Sequence, residues 1–228
     1  MEWLADFFHL IFPVVCPACG ELLVKNESVI CTGCLYAIPK TNFHLERDNP
    51  VAMTFWGRIR LENAASFFSY QEGSTARKLI HELKYRGHQA VGEELGKQYG
   101  HDLIKTPFIE SDLIVPVPLN KRKMRQRGYN QSECIARGLS QSMEKAIITT
   151  AVIKIRNSST QTKKSRYDRW LNVEDTFRVV DPEILNGKHI LLVDDVLTTG
   201  ATIEACASEI LKVPGTRVSV VTLGVVLK

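Results

Sequence analysis

The chain has 228 residues and a formal net charge of +4, from 29 lysines and arginines against 25 aspartates and glutamates. Hydrophobic residues make up 44% and charged residues 24%, which fits a globular protein of one or two domains and excludes a disordered or fibrous chain. No apolar run reaches the roughly 18 residues of a membrane span, and so mild a charge leaves any nucleic-acid binding to local clusters.

The N-terminus is apolar but carries Glu2 and Asp6 and has no basic flank, unlike a signal peptide. The protein is therefore expected to be cytoplasmic, without membrane insertion. Trp3, Leu4, Phe7, Phe8 and Ile11 recur at helical spacing, predicting a short amphipathic helix over residues 2–11. A cysteine module follows to about Ala37, giving a first unit over residues 1–37. Residues 38–54, with Pro39 and Pro50 and no clear period, read as a connector. Residues 55–228 read as one α/β domain.

Within it, Ala64–Tyr70 is predicted as a strand, and Ser74–Tyr85 as a helix with Ala76, Leu79, Ile80 and Leu83 on one face. A second helix is expected over Ala90–Ile104. Leu113–Val117 is a short buried strand closed by Pro116 and Pro118, and Asn130–Lys145 a helix. Ala151–Ile155 reads as a strand, Arg156–Arg169 as a polar stretch without period. His189–Val193 is a continuous apolar strand, Ala201–Leu211 a helix, and Arg217–Val226 the last strand. Buried strands alternating with helices predict a parallel sheet covered on both faces. Ligands of such sheets sit at the carboxyl ends of the strands, so the segments after Val117 and Val193 are where chemistry is expected.

After Val193 come Asp194 and Asp195, then Thr198-Thr199-Gly200-Ala201-Thr202 opening a helix. Backbone N–H groups at such a helix start, with its dipole, suit a phosphate, and threonine hydroxyls add donors. Carboxylates accept hydrogen bonds from vicinal hydroxyls, so the pair suits a sugar phosphate. The plainer reading is a helix capped by Thr198 or Thr199, with the aspartates at a solvated strand end. After Val117 come Pro118-Leu119-Asn120-Lys121 and a basic run through Arg127, then Gly128-Tyr129-Asn130-Gln131. That composition offers cations to a pyrophosphate; otherwise it is a solvated basic loop.

Four of the six cysteines fall within 19 residues, as Cys16-x2-Cys19 and Cys31-x2-Cys34 with eleven residues between. In a reducing compartment such pairs read as metal ligands, and four thiolates match structural, tetrahedral zinc. A rubredoxin-like iron site or a redox dithiol remains an alternative. Cys134 and Cys206 read as small buried hydrophobes. Basic residues cluster at Lys121, Arg122, Lys123, Arg125 and Arg127, and again at Lys154, Arg156, Lys163, Lys164, Arg166 and Arg169, with Tyr129, Tyr167 and Trp170 among them. Such interleaving suits single-stranded nucleic acid, although the same cations could serve a pyrophosphate.

The segment Ile190–Thr202 resembles the phosphoribosyl pyrophosphate (PRPP) loop of type I phosphoribosyltransferases. Pro-Val-Pro118 with Arg127-Gly128-Tyr129-Asn130-Gln131, the upstream Leu83-Lys84-Tyr85-Arg86-Gly87 and the four cysteines resemble the ComF family of competence-associated phosphoribosyltransferase-like proteins. Gln161, Arg169, Asn172 and Phe177 match that family's hood pattern, with one departure: Ser158-Ser159-Thr160-Gln161 stands where the family has Thr-x-x-Gln.

The resemblance implies a type I phosphoribosyltransferase-like fold with Asp194 and Asp195 on the ribose 2′- and 3′-hydroxyls. It puts Thr198–Thr202 on the 5′-phosphate and Pro118–Lys121 on pyrophosphate. Arg127, Asn130, Gln131, Gln161 and Arg169 would lie in the hood and acceptor region, with Mg²⁺ accompanying PRPP. Pyrophosphate would leave ribose C1 through an oxocarbenium-like state, which needs positioning and charge stabilisation rather than a nucleophilic side chain. The segment around 156–169 would close over the site. The alternative keeps the fold as a non-catalytic scaffold that contacts single-stranded DNA or a competence helicase. No residue names an acceptor.

Overall fold

The computed structural model describes residues 14–155 and 176–227. The helix expected over 2–11, the closing segment, Gln161, Arg169, Asn172 and most of the second basic cluster lie outside them.

Four apolar residues ahead of the aspartates start the central strand. β6 (His189–Leu197) pairs in parallel with β7 (Arg217–Val225) on one side and β2 (Leu113–Pro116) on the other. β1 (Ala64–Ser69) extends the sheet beyond β7, and the two-residue β3 (Ala146–Ile147) beyond β2, giving the order β1-β7-β6-β2-β3. Every pairing in this sheet is parallel.

Side chains alternate along each strand, so the two faces of the sheet carry separate cores. Leu191, Val193, Ile114, Val221 and Leu223 pack under α3 (Thr75–Tyr85), α4 (Gln89–Leu103) and α6 (Gln131–Met143). Ile190, Leu192, Val115, Val218 and Val220 pack against Ile203, Cys206 and Ile210 of α7 (Ala201–Ile210). Both faces are covered, which is why the strands read as unbroken apolar runs rather than alternating ones.

Three segments depart from expectation. The strand Ala151–Ile155 forms over Val152–Lys154 (β4), but it pairs antiparallel with β5 (Phe177–Val179) in a separate ribbon. Its Phe177 covers the second face of the main sheet. After the short helix α1 (Thr32–Tyr36), residues 38–54 are docked rather than linking. Thr41 N–H donates to Phe67 O at 3.0 Å and Ser69 N–H to Pro39 O at 3.0 Å, so this segment runs beside β1. It then forms the short helix α2 (Pro50–Met53), capped by Asn49 Oδ1, which accepts from Val51 and Ala52 N–H. The basic run after Asn120 is no loop but the helix α5 (Lys121–Arg127), closed by left-handed Gly128.

Candidate functional site

The chain leaves β2 toward β3 on one side and leaves β6 toward β7 on the other. The strand order therefore reverses between β2 and β6, and the crevice at their carboxyl ends is where open α/β sheets bind ligands. The segments after Pro116 and after Leu197 meet there.

β6 runs four residues further than the apolar pattern indicated, through Leu197. Asp194 and Asp195 are therefore strand residues, not a solvated end; Asp194 faces Thr222 of β7 across the ladder. Asp194 accepts from Ser132 Oγ–H at 2.9 Å and from Asp195 N–H at 2.9 Å. Burial, then the Asp195 charge, push its carboxyl up to about 6. Asp195 is paired with Lys84 Nζ at 3.0 Å. Lys154 on β4 sits over the Phe177 ring at 4.7 Å. Burial lowers its pKa, partly offset by the charge on Asp194.

Thr198 and Thr199 are exposed, and Gly200 turns the chain at φ +78°. No side chain caps α7, so the reading of Thr198 or Thr199 as its N-cap does not hold. The first-turn amides border a cavity of about 40 Å³ lined by Asp194 and residues 196–203, Ala201 and Thr202 included. A Cβ on Gly200 would press on Phe55 Cε1 at 2.9 Å, so both space and backbone demand glycine there. Arg58 braces the turn from outside, donating to Thr199 O at 3.2 Å and pairing with Glu204.

Across the crevice, Pro118 and Leu119 lead to Asn120, whose Oδ1 accepts from Lys123 N–H at 2.7 Å and caps α5. Lys121, Arg122, Lys123 and Arg125 are all exposed. Arg127 lies over the Tyr85 ring at 5.3 Å and donates to Gln131 Oε1 at 2.6 Å. Asn130 Nδ2 donates to Val117 O at 3.0 Å while its Oδ1 accepts from Ser132 N–H. Asn130 and Gln131 are buried, and their side chains are committed to holding the strand end, the helix start and Arg127. Sequence reasoning singled out neither Ser132 nor Arg58. The first had a signal, a hydroxyl inside the Asn-Gln-Ser helix start; the second had none.

The four cysteine sulfurs lie within 4.8 Å of one another, with Cys16 and Cys34 buried. Cys19 and Cys31 Sγ are 3.7 Å apart, against about 3.8 Å for two thiolates on one tetrahedral zinc at 2.3 Å. Glu27 braces the second pair by accepting from Thr32 N–H at 2.6 Å and Val24 N–H at 3.1 Å. The donor set fits a metal ion.

A parallel sheet whose strand order reverses at β2/β6, with helices on both faces, is a phosphoribosyltransferase-type α/β fold. The family model described as "Phosphoribosyl transferase domain" matches residues 130–224. The chain is 27% identical over 202 residues to the DNA utilization protein YhgH of Escherichia coli, covering 87% of this chain and 84% of that one. It is 28% identical over 211 residues to the competence protein ComFC of Bacillus subtilis, covering 91% and 82%. A glutamine PRPP amidotransferase structure from B. subtilis overlays with a TM-score of 0.45 at 20% identity, over 62% of this chain and 30% of that one. Over most of its length the chain is thus similar to competence and DNA-utilization proteins of the ComF type.

Proposed function

We propose that this protein binds PRPP with Mg²⁺ and transfers its phosphoribosyl group to an acceptor with release of pyrophosphate, in the cytoplasm and in the service of DNA uptake. The observation that carries the reading is the run from Asp194 to α7. Two adjacent carboxylates lead within five residues into an uncapped helix start turned by Gly200. Carboxylates accept from a diol, and free amides with the helix dipole take a phosphate. A ribose 5-phosphate carries both groups.

In this reading Asp194 and Asp195 hold the 2′- and 3′-hydroxyls, and residues 198–202 hold the 5′-phosphate. Pro118–Lys121 and the head of α5 face the pyrophosphate. Arg127, braced by Gln131, borders the acceptor side, and Gln161 and Arg169 are assigned an acceptor role from the sequence alone. Mg²⁺ would be held beside Asp195 and would supply charge neutralisation for the departing pyrophosphate. Zinc is the ion proposed for the four cysteines, in a structural role. The competence and DNA-utilization names of the relatives support the link to DNA uptake.

Calorimetric titration with PRPP in the presence of Mg²⁺ is the test. Saturable binding that ribose 5-phosphate competes away is the expected result, and no heat at millimolar PRPP would sink the reading. One observation favours a second activity alongside it: α5 displays four exposed cations in a row of seven residues, beside a stacked Arg127–Tyr85 pair. That surface suits single-stranded DNA, with a competence helicase as the protein partner.

A further inference from the structure

Lys84 stands on the last turn of α3, and its ammonium is 3.0 Å from Asp195 Oδ1. The side chains are only 19% and 16% exposed, so this is not one of the solvated surface pairs that contribute little. Its position is fixed. Leu83, the preceding residue, is fully buried, and its carbonyl accepts from the Tyr129 hydroxyl, which ties the helix end to the turn between α5 and α6. The helix then stops at Arg86 and left-handed Gly87.

The two carboxylates are served differently. Asp194 is held by a hydroxyl and an amide, whereas Asp195 is held by a cation of the protein itself. A divalent cation or a sugar diol that uses Asp195 needs the same carboxylate oxygens. Two like charges cannot share them at short range without a large penalty in so sheltered a place. A polyanionic ligand, in turn, needs every cation the crevice can supply.

We propose that Lys84 is the resident counter-ion of Asp195, exchanged for the incoming divalent cation and diol and then freed to face the ligand's anionic groups. The inference rests on the PRPP reading of the site. It makes Lys84 a specificity-determining residue: it discourages uptake of a bare divalent cation, so that cation and phosphorylated ligand enter together.

The test is a Mn²⁺ titration followed by electron paramagnetic resonance, without PRPP, on the full chain. Mn²⁺ is a hard ion and avoids the four thiolates. Lys84→Met should bind Mn²⁺ about tenfold more tightly than the parent, with Lys84→Arg resembling the parent, as expected for removing or keeping one charge partner. Adding Asp195→Asn to Lys84→Met should abolish the gain. In a second titration, PRPP with Mg²⁺ should bind Lys84→Met more weakly by about tenfold. Unchanged Mn²⁺ affinity in a folded Lys84→Met protein overturns the exchange, as does a gain that survives Asp195→Asn. If Lys84→Met does not fold, Lys84→Gln takes its place in the same titrations. A parent that binds no PRPP would end the functional reading, while the Mn²⁺ comparison would still decide the role of Lys84.

Discussion

Asp194 and Asp195 are adjacent in the chain yet meet different neighbours: Asp195 pairs with Lys84 from α3, and Asp194 accepts from Ser132 at the start of α6. Replacing both aspartates by asparagine should abolish PRPP binding in a folded protein. Each lost charge-assisted hydrogen bond costs about 1.5–3 kcal/mol, or roughly ten- to a hundredfold in affinity. The fold should survive because the amide oxygen introduced at position 194 could still accept from Ser132; calorimetry with a far-UV spectrum checks both halves. The raised Asp194 carboxyl adds a pH signature. Its folded value lies above the ordinary carboxylate value, so the fold favours the neutral form, and stability should be lost as pH rises through about 6. Ligand binding, which needs the ionised pair, should run the other way. PRPP affinity should fall by about tenfold per pH unit below 6 and level off above 7. A flat affinity profile from pH 5 to 8 would count against Asp194 as a ligand-holding group.

At the scale of elements, α4 and α6 lie so close that two glycines are obligatory. A Cβ on Gly96 would fall well inside contact distance of Ile135 O, and one on Gly138 would do the same at Glu93 O. Gly138→Ala is expected to destabilise by about 3 kcal/mol through overpacking of backbone that cannot yield, visible as a lower melting temperature. Because α6 carries Ser132 and Asn130 at its start, the same change should weaken PRPP binding. α5 bears on the second reading. Replacing Lys121, Arg122, Lys123 and Arg125 by alanine should flatten the salt dependence of single-stranded DNA binding, since each lost phosphate contact lowers the slope by about 0.7. If the substituted protein keeps the parent's slope, DNA is held elsewhere.

For the whole molecule, the cysteine module does not stand apart. Cys16, Ala18, Ile30, Cys34 and Ile38 are buried in the same core as Phe67, Tyr99 and Leu223 of the sheet and its helices. Metal removal should therefore lower the stability of the entire chain rather than release a separate N-terminal piece. One equivalent of zinc is expected to co-purify. Chelation or Cys16→Ser should shift the main calorimetric transition downward, because the binding free energy of a structural metal is folding free energy. A transition that stays put while the N-terminal region alone becomes protease-sensitive would show the two parts to be independent.

The sequence by itself determined the parallel sheet, its helices and the turn at Gly200 ahead of α7, because these signals are local. An apolar run, a helical period and a glycine turn each speak within a dozen residues. It also determined the cysteine cluster, since two Cys-x2-Cys pairs carry their own geometry. Only the tertiary structure decided that β6 continues through Leu197, because ladder hydrogen bonds from β7 hold polar residues in a strand that periodicity would have ended. Only it decided that α5 is a helix, that β4 leaves the sheet to pair with β5, and that residues 38–54 are docked on β1. Lys84 and Asp195 are 111 positions apart in the chain, and no periodicity or local motif links residues so distant; only the tertiary fold brings them together.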